Sequence, residues 1–267
     1  MEKKIISYAL YGDKPKYNIG IIVNCLLAKK YLGGWMCRIH YDETVPKGTI
    51  NFLRKLDNVE LKFQNEKSIN GFGMWWRMFP MDDDDVDVVI SRDADSLLCE
   101  RDSYALNEWL KSDKNFHVIR DHCHHRSPIM GGTWGCRNHI NKGIIELLFE
   151  AIKKNPEWAS NDQIFLNTYV YKKMRDEMKT LFVHGILNPP MEKEEFAVNI
   201  PELNYDNDDN ISIKTISDMH GNTCSMCGNI HSPFIGSQIN NYPKKTIDYL
   251  KKMKNNFNII DNIPGLE

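Results

Sequence analysis

The chain of 267 residues has no apolar run approaching the length that crosses a membrane, so no helical span is expected. It also lacks a charge imbalance. Its 34 Lys and Arg against 36 Asp and Glu leave a net charge of -2, and no basic field speaks for a nucleic-acid partner. It lacks a cysteine framework. Seven cysteines are an odd number without regular spacing, which predicts mostly free thiols in a reducing compartment. Residues 1–11 turn polar too quickly for a signal peptide, so the expected location is cytoplasmic. Internal repeats are missing too. What remains is ordinary globular composition, 42% hydrophobic and 26% charged, with room for a large core.

Strand and helix patterns alternate along the first two thirds. Residues 5–11 alternate in polarity and stop at Gly12-Asp13-Lys14-Pro15, a strand and a turn. Residues 18–32 carry Ile21, Ile22, Cys25, Leu26 and Leu27 on one helical face, and Gly33-Gly34 stops the helix. Residues 35–41 predict a strand, 46–56 a helix with a proline near its start, 59–63 a strand, and 74–79 a short helix ended by Pro80. Residues 82–85 read as a solvated acidic connector. Further on, 101–111 is a helix, 116–120 a strand, 143–154 a helix, 163–174 a helix capped by Asn161 or Asp162, and 180–184 a last strand. Such alternation argues for an α/β fold with a parallel sheet. Residues 1–185 would form this core. Residues 186–267 would be an extension packed on the same domain, polar and irregular over 187–222 and ending in a Lys-rich helix over 242–257.

The chemistry concentrates at residues 86–96, Val-Asp-Val-Val-Ile-Ser-Arg-Asp-Ala-Asp-Ser. Val86, Val88, Val89 and Ile90 read as a central strand buried on both faces. It delivers Arg92, Asp93 and Asp95 to its C-terminal end, where open α/β sheets bind ligands. Residues two apart on extended chain face the same side, so Asp93 and Asp95 are expected to converge on one cation. Hard oxygen ligands suit magnesium or manganese, which bridge to substrate phosphates. Downstream, Gly131-Gly132 and Gly135 suit a backbone approached closely by a ligand.

Two families place Asp-x-Asp after a strand. The haloacid-dehalogenase-like phosphatases use it near the chain start, with Thr or Val two residues beyond the second Asp, where this chain has Leu97. The other family is favoured by a wider set of residues: Trp76-Arg77-x-x-Pro80, Arg92-Asp93-Ala94-Asp95-Ser96, Glu108-Trp109-Leu110, 116–122 (Phe-His-Val-Ile-Arg-Asp-His) and Gly131-Gly132-Thr133-Trp134-Gly135, in this order. Asp162-Gln163, Val183-His184 and Phe234-Ile235-Gly236-Ser237 fit the same pattern. Together they resemble a family of glycosyltransferase-A-fold proteins of bacteria, algae and large viruses.

The resemblance implies a central, mostly parallel mixed sheet flanked by helices, with Asp-x-Asp after about the fourth strand. It implies a metal-dependent glycosyltransferase that moves a sugar from a nucleotide-sugar donor to a glycan or other hydroxyl acceptor. Asp95 would bind manganese or magnesium, Asp93 the metal, the ribose or both, and His184 would be a third ligand. Arg77 or Arg92 would contact phosphate, and Tyr11 and Asp13 would lie near base and ribose. Gly131, Gly132, Trp134 and His122 would border the substrate, and Asp162 would be the acid beside the acceptor, with Asp121 the alternative. Two other readings use the same residues: a metal-dependent phosphohydrolase, and a non-catalytic binding protein with a C-terminal zinc site. The latter would draw on His220, Cys224, Cys227 and His231. Their short nested spacing departs from the usual zinc pattern, and little or no zinc is expected.

Overall fold

The computed structural model describes residues 2–65, 69–120, 127–138, 142–177, 181–185, 197–198, 202–205 and 211–214. In chain order the elements that build the main sheet are β1 (Lys4–Leu10), α1 (Pro15–Tyr31), β2 (Trp35–Tyr41), α2 (Lys47–Leu53), β3 (Val59–Phe63) and β4 (Val88–Ser91), with a 3₁₀ segment, Ile69–Asp82, before β4. After β4 come α3 (Glu100–Lys111), β5 (Phe116–Arg120), β6 (Trp134–Arg137), α4 (Ile144–Lys154), α5 (Asp162–Phe165), β7 (Leu181–Gly185) and β8 (Ala197–Val198). The sheet order is β3-β2-β1-β4-β6-β5-β7-β8. All pairs are parallel except those of β6, which runs antiparallel to β4 and β5. This is the mixed, mostly parallel sheet expected from the sequence, with Asp-x-Asp directly after the fourth strand. A separate ribbon pairs β9 (Glu202–Tyr205) with β10 (Ile211–Lys214).

Period-two alternation splits the core between the two faces. Ile6, Tyr8, Leu10, Val88 and Ile90 pack under α1, α2 and α3. Ile5, Val89, Phe116, Val118 and Trp134 pack on the other face, with Trp75, α4 and α5. Val88, Val89 and Ile90 are fully buried, so β4 is the two-sided central strand its sequence predicts. Antiparallel β6 was not expected. It demands the small residue at Gly135, where a Cβ would come within 2.7 Å of Ile90 Cγ2 and of the Val89 carbonyl.

Other boundaries differ for physical reasons. Pro80 does not end the helical stretch over 74–79. The 3₁₀ segment carries it inside and runs on to Asp82. Residues 82–85 are not a merely solvated connector. Asp82 accepts from the backbone N–H of Gly143 and Ile145 at the start of α4 (2.8 and 3.0 Å), Asp83 pairs with Arg38, Asp84 with Lys142, and Asp85 with Lys3. The helix expected over 163–174 is one α turn, α5, followed by wider π turns over Leu166–Tyr171 and Lys173–Glu177. β8 lies beyond the expected core boundary at 185 and adds to the same sheet. The Lys-rich helix over 242–257 and the His220–His231 cysteine motif lie outside the described residues. Among the described residues Cys25, Cys37, Cys99 and Cys136 are buried.

Candidate active site

The chain leaves β4 at Ser91 and turns at once. The Ser96 N–H donates to the Asp93 carbonyl at 3.2 Å, so residues 93–96 form a tight turn rather than the extended chain that was expected. Strand alternation therefore does not set the relation of Asp93 to Asp95; the turn brings both residues to the lining of one cavity. That cavity, of about 300 Å³, is lined by Ala9, Tyr11, Tyr17, Met74, Arg77, Arg92, Asp93, Ala94 and Asp95. It sits at the carboxyl ends of β1 and β4, the edge where open α/β sheets take ligands.

The two carboxylates meet different cations. Arg77, on the 3₁₀ segment, donates from one terminal nitrogen to Asp93 and from the other to Asp162. Burial works against its charge, but the two carboxylates override it and hold the guanidinium pKa above the ordinary arginine value. Asp95 instead accepts from Lys16 at 2.8 Å, and that hydrogen bond raises the lysine pKa. With Lys16 57% exposed, this second pair stabilises the fold by no more than about 1 kcal/mol. Gly131 and Gly132 press against the first pair. A Cβ at Gly131 would overlap the Arg77 guanidinium and reach Asp162 Oδ2 at 2.5 Å, and one at Gly132 would reach Asp93 Cγ at 2.6 Å. The glycines are needed here for room beside the charged groups.

Asp162 opens α5 without capping it. Asn161 is the cap, its Oδ1 accepting from the Gln163 N–H at 3.1 Å. That frees the Asp162 carboxylate for Arg77. The neighbouring Gln163 side chain donates to the Ile129 carbonyl and ties the start of α5 to the glycine segment.

Other expected site residues fall differently. Tyr11 lines the cavity, edge-on to Trp76 at 6.0 Å, and burial raises its pKa. Asp13 is exposed in the β1–α1 loop, outside the residues that line the cavity. Trp134 is a correction: it is fully buried in the core on β6 and cannot stack on a ligand in this cavity. Arg92 borders the cavity, but its guanidinium is buried. Nε donates to Asp102 at 3.0 Å and Nη1 to the Ser91 carbonyl at 2.8 Å. Nη2 is buried without a hydrogen-bond partner among the described residues. Asp102 also accepts from the Cys99 N–H at 3.0 Å, capping α3, and burial raises its pKa despite Arg92. His184 pairs through its backbone with Ile119 and Val198, and its side chain lies outside the described residues. Asp121 and His122 also lie outside them.

The donor set suits a hard divalent cation. Asp93 and Asp95 both line one cavity, and magnesium or manganese characteristically takes one or two carboxylates and completes its shell with water and substrate phosphate. Among the described residues no cluster of three or more His, Cys, Asp or Glu side chains forms a complete protein cage. Residues that sequence reasoning missed are Asn24 and Lys16. A buried Asn amid the apolar residues of α1 was the only signal for the first; nothing marked the second.

No protein-family model matches the sequence, and no curated protein sequence matches it. Among solved structures the chain is similar to PcManGT, a mannosyltransferase of Pyrobaculum calidifontis in complex with GDP-Man and Mn2+, at 12% identity and a TM-score of 0.40, over 55% of this chain and 46% of that one. It is similar to HddC of Yersinia pseudotuberculosis at 16% identity and a TM-score of 0.37, over 53% of this chain and 78% of that one. It is also similar to S. aureus TarS 1-349 at 11% identity and a TM-score of 0.37, over 56% and 49%. The chain matches about half the length of the mannosyltransferase chain. At these identities and scores the functional reading rests on the chain's own residues. Among the described residues no helix is long and apolar enough to cross a membrane.

Proposed function

We propose that the chain is a metal-dependent glycosyltransferase that moves a sugar from a nucleotide-sugar donor to a hydroxyl acceptor. The observation that carries this reading is the grouping of Asp93, Asp95 and Arg77 in one cavity at the carboxyl edge of the sheet, with Asp162 brought to the same Arg77 from α5. Asp95 and Asp93 are the groups that would hold magnesium or manganese. When bound, the cation neutralises negative charge developing on the diphosphate leaving group, the electrostatic contribution that usually dominates. Tyr11, with its aromatic ring at the cavity wall, offers a surface for the nucleotide base or ribose. Arg77 orients Asp93 and Asp162 together and keeps them from drifting apart. Asp162 then accepts the proton of the attacking hydroxyl if the reaction inverts, or positions the donor sugar if it retains.

The test is a thermal-shift screen of UDP, GDP and their sugar conjugates with and without manganese. Binding to the native state raises stability by about 2.7 kcal/mol at a hundredfold excess over Kd. A nucleotide shift that requires manganese, followed by donor hydrolysis or transfer, supports the reading. Asp95→Asn should abolish the manganese-dependent part of the shift while the protein stays folded. An unchanged shift in that variant removes Asp95 from the site. Turnover of a phosphomonoester without nucleotide would favour a phosphohydrolase built on the same carboxylates.

A further inference from the structure

Helix α1 reaches the 93–96 turn with two residues one helical turn apart, Gly20 and Asn24, which share a face of the helix. A Cβ at Gly20 would overlap the Ala94 carbonyl oxygen and come within 3.3 Å of Asp95 Cα, so the helix backbone lies against the turn itself. Asn24 is fully buried in the apolar interior of α1, beside Val23 and Cys25. Its amide makes three hydrogen bonds, all to the backbone of residues 94–98. Nδ2 donates to the Ala94 carbonyl at 3.1 Å and to the Ser96 carbonyl at 3.3 Å, and Oδ1 accepts from the Leu98 N–H at 2.9 Å.

The helix gains nothing from Asn at that position. Ala or Leu has the higher helix propensity, and a buried amide costs free energy unless it is hydrogen-bonded. All of its bonding goes to a neighbouring segment. The Ala94 carbonyl belongs to the peptide that enters Asp95 and the Ser96 carbonyl to the peptide one residue beyond the one that leaves it, so the backbone before and after Asp95 is tied to one rigid amide. Among the described residues the Asp95 carboxylate is paired with an exposed lysine, a contact worth no more than about 1 kcal/mol.

We infer that Asn24 is a positioning residue whose buried amide holds the backbone of residues 94–98 so that Asp95 presents its carboxylate to the cation-binding cavity. This rests on the function proposed above, in which Asp95 binds a divalent cation. Asn24 touches neither cation nor substrate, and its effect passes through the turn.

The experiment compares the full chain with Asn24→Ala and with the milder Asn24→Ser. Manganese-dependent affinity for UDP and GDP, affinity for the same nucleotides in EDTA, and residue-resolved amide hydrogen exchange are measured for each. Asn24→Ala is expected to lose at least about tenfold in manganese-dependent affinity, the range typical of groups that orient metal ligands. Its manganese-free nucleotide affinity should be unchanged. Exchange at the Leu98 amide should accelerate by about tenfold or more, while β1 and β2 amides keep their protection. Asn24→Ser should fall between, and it carries the test if the alanine variant does not fold. Unchanged manganese affinity overturns the inference, as does a uniform acceleration of exchange across the sheet, which marks a purely structural residue. If the parent protein itself shows no manganese-dependent binding, the proposed function fails. The exchange arm then decides alone: selective loss of protection at Leu98 upholds the positioning of the turn, and its absence overturns it.

Discussion

The two walls of the Asp93–Asp95 turn are held in opposite ways. On the α1 side the contacts are neutral and buried: the Gly20 backbone lies against Ala94, and the Asn24 amide bonds three backbone groups. On the other side they are charged and reach the cavity: Arg77 bridges Asp93 and Asp162, with Gly131 and Gly132 pressed close. The neutral wall fixes the backbone, because amide-to-backbone bonds are directional and do not respond to salt. The charged wall fixes which carboxylates lie together. A bridging guanidinium holds both at defined spacing, and a ligand of suitable charge can compete for either.

Breaking the charged wall at its chemical end should have the largest effect. Asp162→Asn keeps a hydrogen-bonding side chain beside Arg77 but cannot take a proton. If Asp162 is the base, the transfer rate should fall by two to four orders of magnitude, on the order of 3 to 5 kcal/mol of barrier. Nucleotide affinity should hardly change. Near-normal turnover would leave Asp162 as a partner of Arg77 only, and the search would move to Asp121.

The second arginine of the cavity separates a structural ion pair from a site one. Arg92 and Asp102 are 2% and 0% exposed in their side chains, and Arg92→Met leaves Asp102 buried with its main counter-charge gone. Urea unfolding of that variant should show a loss of about 3 to 5 kcal/mol. Arg77→Met should cost less, because Asp93 is 42% exposed and water can replace the guanidinium. Equal losses would mean that the charged wall is as much a part of the core as the Arg92–Asp102 pair.

Acid should attack β2 on the face covered by the 3₁₀ segment, where His40 lies edge-on to Phe79. Burial, with Arg38 and Lys62 nearby, pushes His40 on β2 down from 6.5 to about 3. The Gln64 amide lies 3.0 Å from His40 Nδ1. A folded-state pKa depressed below the unfolded value means that the unfolded chain binds the proton first. The stability is therefore fully present above pH 6.5 and is lost as pH falls towards 3, at up to about 1.4 kcal/mol per pH unit. Stability of the parent and of His40→Leu, followed by urea titration between these limits, should diverge in slope. Parallel curves would remove His40 as the source.

The smallest effect belongs to the cap beside the charged wall. Asn161→Ala should cost about 1 kcal/mol of stability and leave turnover largely intact, because capping has passed from Asp162 to its neighbour. A large loss of turnover would show that the start of α5 must be held rigidly for Asp162 to act.

The sequence alone determined the alternation of elements, the two-sided burial of β4 and the delivery of Asp93 and Asp95 to its end, because apolar periodicity and strand-end chemistry are local properties. It misled where pairing decides. The Thr133-Trp134-Gly135 stretch reads as a ligand loop, yet antiparallel β6 claims it and buries Trp134 in the core. Asp93 and Asp95 reach one cavity through a turn held by α1, not through strand alternation. Arg77 and Arg92 look alike in sequence as phosphate contacts. Only the fold assigns one to two site carboxylates and the other to Asp102 within the core. Asn24 lies 70 residues from the carbonyl it holds, and Asp162 lies 85 from Arg77. Contacts at that separation depend on how the helices dock against the sheet, which no local pattern of residues specifies.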